Sequence, residues 1–262
     1  MDLLNGLFYF IEFVDPRLKN WILFNSPYPI IFILFLYLYF VLVYGPQFMK
    51  NRKPYTLRTF IKCYNIFQIM ANSLIIYKFL KSGFISNILS SNCEPISYKA
   101  DSTDTEILEG CWWVLLTKMI DLVETGIFVL RKRNRQISFL HLYHHISTLM
   151  ISWLFGKHYI DKRTVFIPFM NCSIHVMMYS YYFFTTFGPN VRKIINRYKF
   201  ILTIIQMVQF IILICFIWKK SVKNCEFAII PSYVMIINLL INLILFFNFY
   251  EKNYSIKNTK KY

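Results

Sequence analysis

Residues 136–156 read QISFLHLYHHISTLMISWLFG, a run without Asp, Glu, Lys or Arg that nevertheless holds three imidazoles, His141, His144 and His145. Spacings of i, i+3 and i+4 put all three side chains on one face of a helix, where they converge on one point. An uncharged run of this length crosses the hydrocarbon of a bilayer, and polar groups at that depth are scarce and mark function. The plainer reading is a polar seam between packed helices; three imidazoles on one face argue for a reaction centre instead.

The surrounding chain is of the same kind. Of its 262 residues 56% are apolar, 19% aromatic and only 16% charged, and the mean hydropathy is +0.44. That composition excludes a soluble domain and predicts an all-α integral membrane protein. The opening residues 1–14 contain Asp2 and Glu12, lack a basic segment and show no small-residue cleavage site. No cleaved signal peptide is expected, and the first membrane helix serves for targeting. The net charge of +16 lies in short clusters between apolar runs, which fits membrane orientation and anionic ligands, with no nucleic acid as partner.

Seven membrane helices are predicted, over residues 27–48, 59–80, 109–130, 136–155, 164–187, 200–218 and 227–249. They form a single membrane domain, 27–249, between an arm at 1–26 and a basic tail at 250–262. Residues 81–108 form the longest loop. In the second span Lys62 and Lys78 sit near the ends, where long side chains reach the headgroups. Segments 49–58, 131–135, 187–199 and 250–262 each hold four Lys or Arg, and together they contain 16 basic residues against one acidic, Glu251. The opposite side holds ten of each sign. By the positive-inside rule the first set is cytosolic, so the amino terminus and its interfacial arm are lumenal and the carboxy terminus is cytosolic.

Several constellations carry chemistry. The third span holds Lys118, Asp121 and Glu124, with Thr125 beside them; three ionisable groups at that depth need one another or a ligand, and a Lys118–Asp121 pair that only fixes helix packing is the structural alternative. The third and fourth spans form a tight hairpin closed by Arg131, Lys132, Arg133 and Arg135. In the fifth span Asn171, His175, Met178, Tyr179 and Tyr182 share one stripe; in the sixth, Thr203, Gln206 and Gln209 share a face. Interhelical hydrogen bonding is the alternative for both sets. A di-iron centre needs around eight His, and the chain has five, with His158 in a loop; no metal is expected, although a single zinc site stays open.

With these pieces in order, the chain resembles the membrane elongases of very-long-chain fatty acids over nearly its whole length. The matching residues are Asp15-Pro16-Arg17, Gly45-Pro46, Lys118 to Thr125, the His141, His144, His145 triplet, Asn171 to Tyr182, and Thr203-x-x-Gln206-x-x-Gln209-Phe210. In one respect the chain departs from the family, which places Glu before Asp-Thr after the lysine; here Asp121 comes first and Glu124-Thr125 follows.

The resemblance implies a 3-ketoacyl-CoA synthase acting on acyl-CoA and malonyl-CoA as co-substrates, with no bound cofactor, six of the helices ringing an acyl-chain tunnel. Within that reaction we expect an acyl-imidazole on one of the triplet, with His144 taken as the nucleophile, an enolate oriented by His175 and Asn171, and positioning and proton handling by His141 and His145. Lys118, Asp121, Glu124, Thr125, Tyr179, Gln206 and Gln209 would support the site. The CoA phosphates would meet Arg131, Lys132, Arg133, Arg192, Lys193 and Lys252. A rival nucleophile is Cys172, about 100° from the Asn171 stripe and without a cation in its own turn. The expected location is the endoplasmic reticulum, although Lys260 has Thr259 and Asn258 where a dilysine signal wants its second Lys. Expected partners are the bilayer, the reductases and dehydratase of the elongation cycle, and a second copy in a homodimer. Cys93 and Cys225, in two lumenal loops, are expected to form a disulfide, and the sequon at Asn253-Tyr254-Ser255 to stay unused in the cytosol. The competing functions are a metal-dependent lipid desaturase or hydroxylase, and a polar-core transporter or receptor.

Overall fold

Uncharged stretches of about 20 residues leave the backbone one way to satisfy its polar groups at membrane depth, the α-helix. The computed structural model, which describes residues 18, 21, 23–83, 85, 86, 102–158, 164–222 and 229–254, is helical throughout its regular parts, with no strand among the described residues. We number the helices α1 (Tyr28–Met49), α2 (Arg58–Lys81), α3 (Ser102–Leu130), α4 (Phe139–His158), α5 (Phe166–Phe184), α6 (Pro189–Asn196), α7 (Lys199–Val222) and α8 (Ile229–Tyr254).

A long helix stands at each of the seven positions read from the sequence. Three of them, α1, Lys199–Lys219 of α7 and Ser232–Tyr254 of α8, are long and apolar enough to cross a membrane. The other four are made less apolar by residues they turn inward, such as Asn65, Gln68 and Asn72 of α2 and Lys118 and Asp121 of α3. Three boundaries need correction. Helix α3 starts at Ser102, so the end of the expected long loop is helical, and it is anchored by Ile107 and Leu108, both buried. Helix α4 starts at Phe139, after a 3-10 turn at Asn134–Gln136, and His158, expected in a loop, is its last residue. The expected loop 187–199 contains α6, started by Pro189 at the first helical position after Gly188 at φ 131°.

The chain divides into two compact units. The first holds α1, α3 and α4. Helix α1 turns Ile30, Leu34, Tyr37 and Val41 inward, while Phe32, Phe35, Leu36 and Leu42 remain exposed as a face suited to lipid. Helix α3 answers with Leu108, Leu115, Leu122 and Val129, a seven-residue repeat that keeps one seam against its neighbours. Within α1 one turn, Phe40–Tyr44, is π-helical. Pro46 follows it, and a proline inside a helix removes an N–H and crowds the carbonyl four residues back, which a widened turn relieves. At Gly45 a Cβ would stand 2.6 Å from Phe40 O and 2.6 Å from Val129 Cγ1, so α1 and α3 approach at a point that admits only glycine.

The second unit holds most of α2 together with α5 to α8. Helices α7 and α8 form a hairpin packed through Phe210 and Phe246, whose ring centroids lie 5.3 Å apart, while Ile211, Val208, Ile237 and Ile244 face outward. Phe166 of α5 meets Phe216 of α7 at 4.6 Å.

Candidate functional site

In the first unit the α3–α4 hairpin brings the third-span cluster to the histidine face. Helix α3 ends in a Schellman turn, with Lys132 N donating to Val129 O and Arg133 N to Phe128 O at 3.0 and 2.8 Å. Lys132 holds the left-handed position at φ 54°, where glycine is usual. Helix α4 is capped by Ser138, whose Oγ accepts from His141 N at 3.2 Å. The cap starts α4 just before the triplet, so the three imidazoles occupy its first two turns beside the last third of α3.

The rings cluster as the spacing predicts: His141 and His145 at 4.3 Å between centroids, His144 and His145 at 5.9 Å. His145 is buried, whereas His141 and His144 keep partial exposure. Behind them Lys118 Nζ donates to Asp121 Oδ2 at 3.1 Å, both buried. Glu124 Oε2 faces His145 Nε2 at 3.9 Å, beyond hydrogen-bond distance. Thr125 Oγ1 lies 2.8 Å from His141 Nε2 and 2.9 Å from the hydroxyl of Tyr37 on α1. Thus Lys118, Asp121, Glu124, Thr125, His141, His144 and His145 form one constellation, and Tyr37, which the sequence reading passed over, belongs to it. Among the described residues no group of three His, Cys, Asp or Glu side chains is placed to hold a metal ion.

In the second unit the α5 stripe forms as expected. Tyr179, without exposure, packs edge-on against His175 at 5.6 Å and Tyr182 at 6.3 Å. Its hydroxyl stands 3.5 Å from that of Tyr64 on α2. Tyr64 in turn accepts from Gln68 Nε2 at 3.0 Å, and Asn72 Nδ2 donates to Gln68 O at 2.8 Å. The sequence reading took this part of α2 as apolar between two snorkelling lysines. Its signal was there: Tyr64, Gln68 and Asn72 recur every four residues, and their face is buried.

The interhelical-bond alternatives divide. Gln206 Nε2 reaches Met178 Sδ at 3.8 Å and so ties α7 to α5, whereas Gln209 Nε2 and Asn171 Oδ1 are buried with no hydrogen-bond partner among the described residues. Those two atoms are suited to a ligand or a water, not to helix pairing. Cys172 is fully buried.

Of the basic residues expected to meet phosphate, Lys132, Arg133, Arg192, Lys193 and Lys252 are exposed and Arg131 is half-buried. The first unit carries residues 131–133, the second the rest. Lys132 Nζ donates to Lys50 O at 3.4 Å and lines, with Lys50, Asn134, Val41 and Met49, a cavity of about 390 Å³. Arg192 Nε donates to Thr185 O at 3.3 Å. The Cys93–Cys225 pairing, the arm before residue 18 and Lys260 lie outside the described residues.

Comparison of the sequence with known proteins points to one family. The pattern of the GNS1/SUR4 (ELO) family matches residues 22–262. The chain is 34% identical to very long chain fatty acid elongase 4 of Homo sapiens, over 94% of this chain and 77% of that protein. To very long chain fatty acid elongase 7 of Drosophila melanogaster it is 34% identical over 92% and 73%, and to very long chain fatty acid elongase 1 of Mus musculus 35% over 94% and 88%. With a histidine face on α4, an ion-paired cluster on α3 and a family match over nearly its whole length, the chain belongs to the ELO family of fatty acid elongases.

Proposed function

We propose that this protein condenses a long-chain acyl-CoA with malonyl-CoA, giving a 3-ketoacyl-CoA two carbons longer, CO2 and free CoA. The observation that carries the reading is the gathering of His141, His144 and His145 at the start of α4 against the Lys118, Asp121, Glu124 and Thr125 cluster, in a chain whose relatives are named for elongation.

His144, partly exposed on the face, is assigned as nucleophile. Its imidazole nitrogen attacks the thioester carbonyl, the C–S bond breaks, and the imidazole proton passes to the departing CoA thiolate, leaving an acyl-imidazole. Malonyl-CoA then loses CO2, and the electron pair of the broken bond becomes an enolate. Its carbon attacks the acyl carbonyl as the C–N bond breaks, and the departing imidazole nitrogen takes up a proton from water, which regenerates His144. Asn171 and His175 are assigned to orient and stabilise the enolate, and His145 to position the nucleophile. Lys118, Asp121, Glu124, Thr125, Tyr179, Gln206 and Gln209 support the reacting groups. The phosphates of CoA are assigned to Arg131, Lys132, Arg133, Arg192, Lys193 and Lys252. The reaction as written draws on no bound cofactor.

Seven spans with the carboxy terminus cytosolic, six of them ringing an acyl tunnel, residence in the endoplasmic reticulum, and work alongside the reductases and dehydratase of a two-carbon cycle complete the proposal. The seven helix positions and the uneven distribution of basic residues between the connecting segments support it.

Incubation of the purified protein with acyl-CoA alone tests the mechanism. Free CoA should appear and the acyl group should be recovered on the peptide containing His144. The His144→Ala variant should do neither, and activity should survive chelators. An acyl group on Cys172, or elongation with an unmodified His144 peptide, overturns the acyl-imidazole step. Chemical change without chain extension, or movement of unchanged substrate across vesicles, overturns the condensation.

A further inference from the structure

On the proposed condensation reading, we infer that Tyr37 and Thr125 hold His141 in the tautomer with hydrogen on Nδ1, making His141 a hydrogen-bond donor to the reacting thioester oxygen and leaving the nucleophile's part to its neighbours. The direction of hydrogen bonding follows from counting donors. Tyr37 is buried on α1, and its hydroxyl has Thr125 Oγ1, at 2.9 Å, as its hydrogen-bond partner among the described residues. A buried phenol keeps its hydrogen and must place it on an acceptor. Tyr37 therefore donates to Thr125.

Thr125, fully buried, has one hydroxyl hydrogen. With one lone pair engaged by Tyr37, that hydrogen is directed at His141 Nε2, 2.8 Å away. Nε2 then accepts, so in the neutral ring the hydrogen resides on Nδ1. The reverse direction, with Nε2–H donating to Thr125 and Thr125 to Tyr37, leaves the phenolic hydrogen buried without an acceptor, at the cost of a lost hydrogen bond.

The consequence is chemical. With Nε2 occupied, His141 is not the base that deprotonates a neighbour through that atom. Its Nδ1–H belongs to a ring that keeps partial exposure and packs against His145 at 4.3 Å and Phe128 at 5.3 Å. A donor held in place before the reaction stabilises the oxygen of a thioester as it gains negative charge under attack. His141 is thus assigned as a catalytic donor, and Tyr37 and Thr125 as positioning residues acting through it.

Amide side chains distinguish the two nitrogens, because the Asn amide stands near Nδ1 of the histidine it replaces and the Gln amide near Nε2. Condensation by the full-length protein in detergent, measured with acyl-CoA and malonyl-CoA, should leave His141→Asn with a kcat at least about tenfold above His141→Gln. Thr125→Val and Tyr37→Phe should each lower kcat about tenfold or more with KM within about twofold, and Thr125→Ser should keep most of the rate. The Tyr37→Phe/Thr125→Val pair should be no slower than Thr125→Val alone, since the relay is already cut. Gln outperforming Asn, an additive double variant, or Tyr37→Phe at full rate overturns the assignment while elongation stands. A wild-type protein that extends no acyl chain overturns the elongation reading and this inference with it.

Discussion

Lys118 Nζ and Asp121 Oδ2 lie 3.1 Å apart, one turn from each other on α3, with 4% and 2% of their side chains exposed. Glu124, three residues further on, points instead at His145. The exchange of the two acids relative to the family order thus has a local meaning: the shorter carboxylate meets the lysine, and the longer one spans toward the histidine face.

Removing the carboxylate of a buried pair takes away the charge that offsets the lysine. Asp121→Asn should therefore destabilise the protein by about 3 to 5 kcal/mol, seen as a large drop in the thermal midpoint in detergent. Glu124→Gln should leave the midpoint nearly unchanged and lower the condensation rate, because it replaces the carboxyl group facing His145 and removes no hydrogen bond. Equal thermal losses in the two variants would refute this division of roles.

The polar ladder of α2 gives a second expectation. Gln68→Leu removes the donor to Tyr64 and should cost about 1 kcal/mol, the usual worth of a buried hydrogen bond. Ile66→Leu, on the exposed face of the same helix, should stay within about 0.5 kcal/mol of the parent. Thermal unfolding of both variants in one detergent checks the contrast.

What the sequence made legible, and what it left out, follows from what a linear pattern encodes. Long apolar runs, five of them without a charge, located seven helices because hydrocarbon tolerates little else, and i, i+3, i+4 spacing located the histidine face because all three residues belong to one helix. Tyr37 was invisible for the opposite reason. It lies 88 residues from Thr125, on a helix where tyrosine is one aromatic among many, so nothing local marks it. Gln68 and Asn72 were legible in principle, since their spacing alone puts them on the Tyr64 face. Helix α6 was missed because four basic residues between 187 and 199 read as loop, although Gly188-Pro189 is a helix-start signal.

Helix contact at Gly45 should be as sensitive as the side chains it positions. Gly45→Ala forces a methyl group into a 2.6 Å gap against Val129 and the Phe40 carbonyl, which should cost about 1 to 3 kcal/mol. Displacing α1 from α3 also pulls Tyr37 from Thr125. The variant should therefore lose kcat to an extent similar to Tyr37→Phe, measured in the same assay. A stability loss with an unchanged rate would separate the two contacts.

Charge reversal at the exposed basic residues supplies the last test. Arg192→Glu with Lys193→Glu should raise KM for acyl-CoA and leave kcat within about twofold. The difference from wild type should shrink as salt is added, because exposed charges are screened over about 10 Å at 0.1 M ionic strength. A salt-independent loss would argue for a structural fault in α6.

The π-helical turn at Phe40–Tyr44 sets the rotational phase between the two halves of α1. Tyr37 and Gly45 are eight residues apart, which on a regular α-helix at 100° per residue leaves them about 80° out of line. A turn wound with one additional residue removes most of that offset, so the phenol that meets Thr125 and the glycine that meets Val129 fall on one side of the helix. Rewinding this turn as ordinary α-helix without removing a residue would turn one contact away whenever the other is kept, whereas a single-residue deletion within it leaves the two about 20° out of line and keeps both. A single-residue insertion in this helix should thus be as poorly tolerated as one beside the histidines, even though most substitutions on its exposed face change nothing.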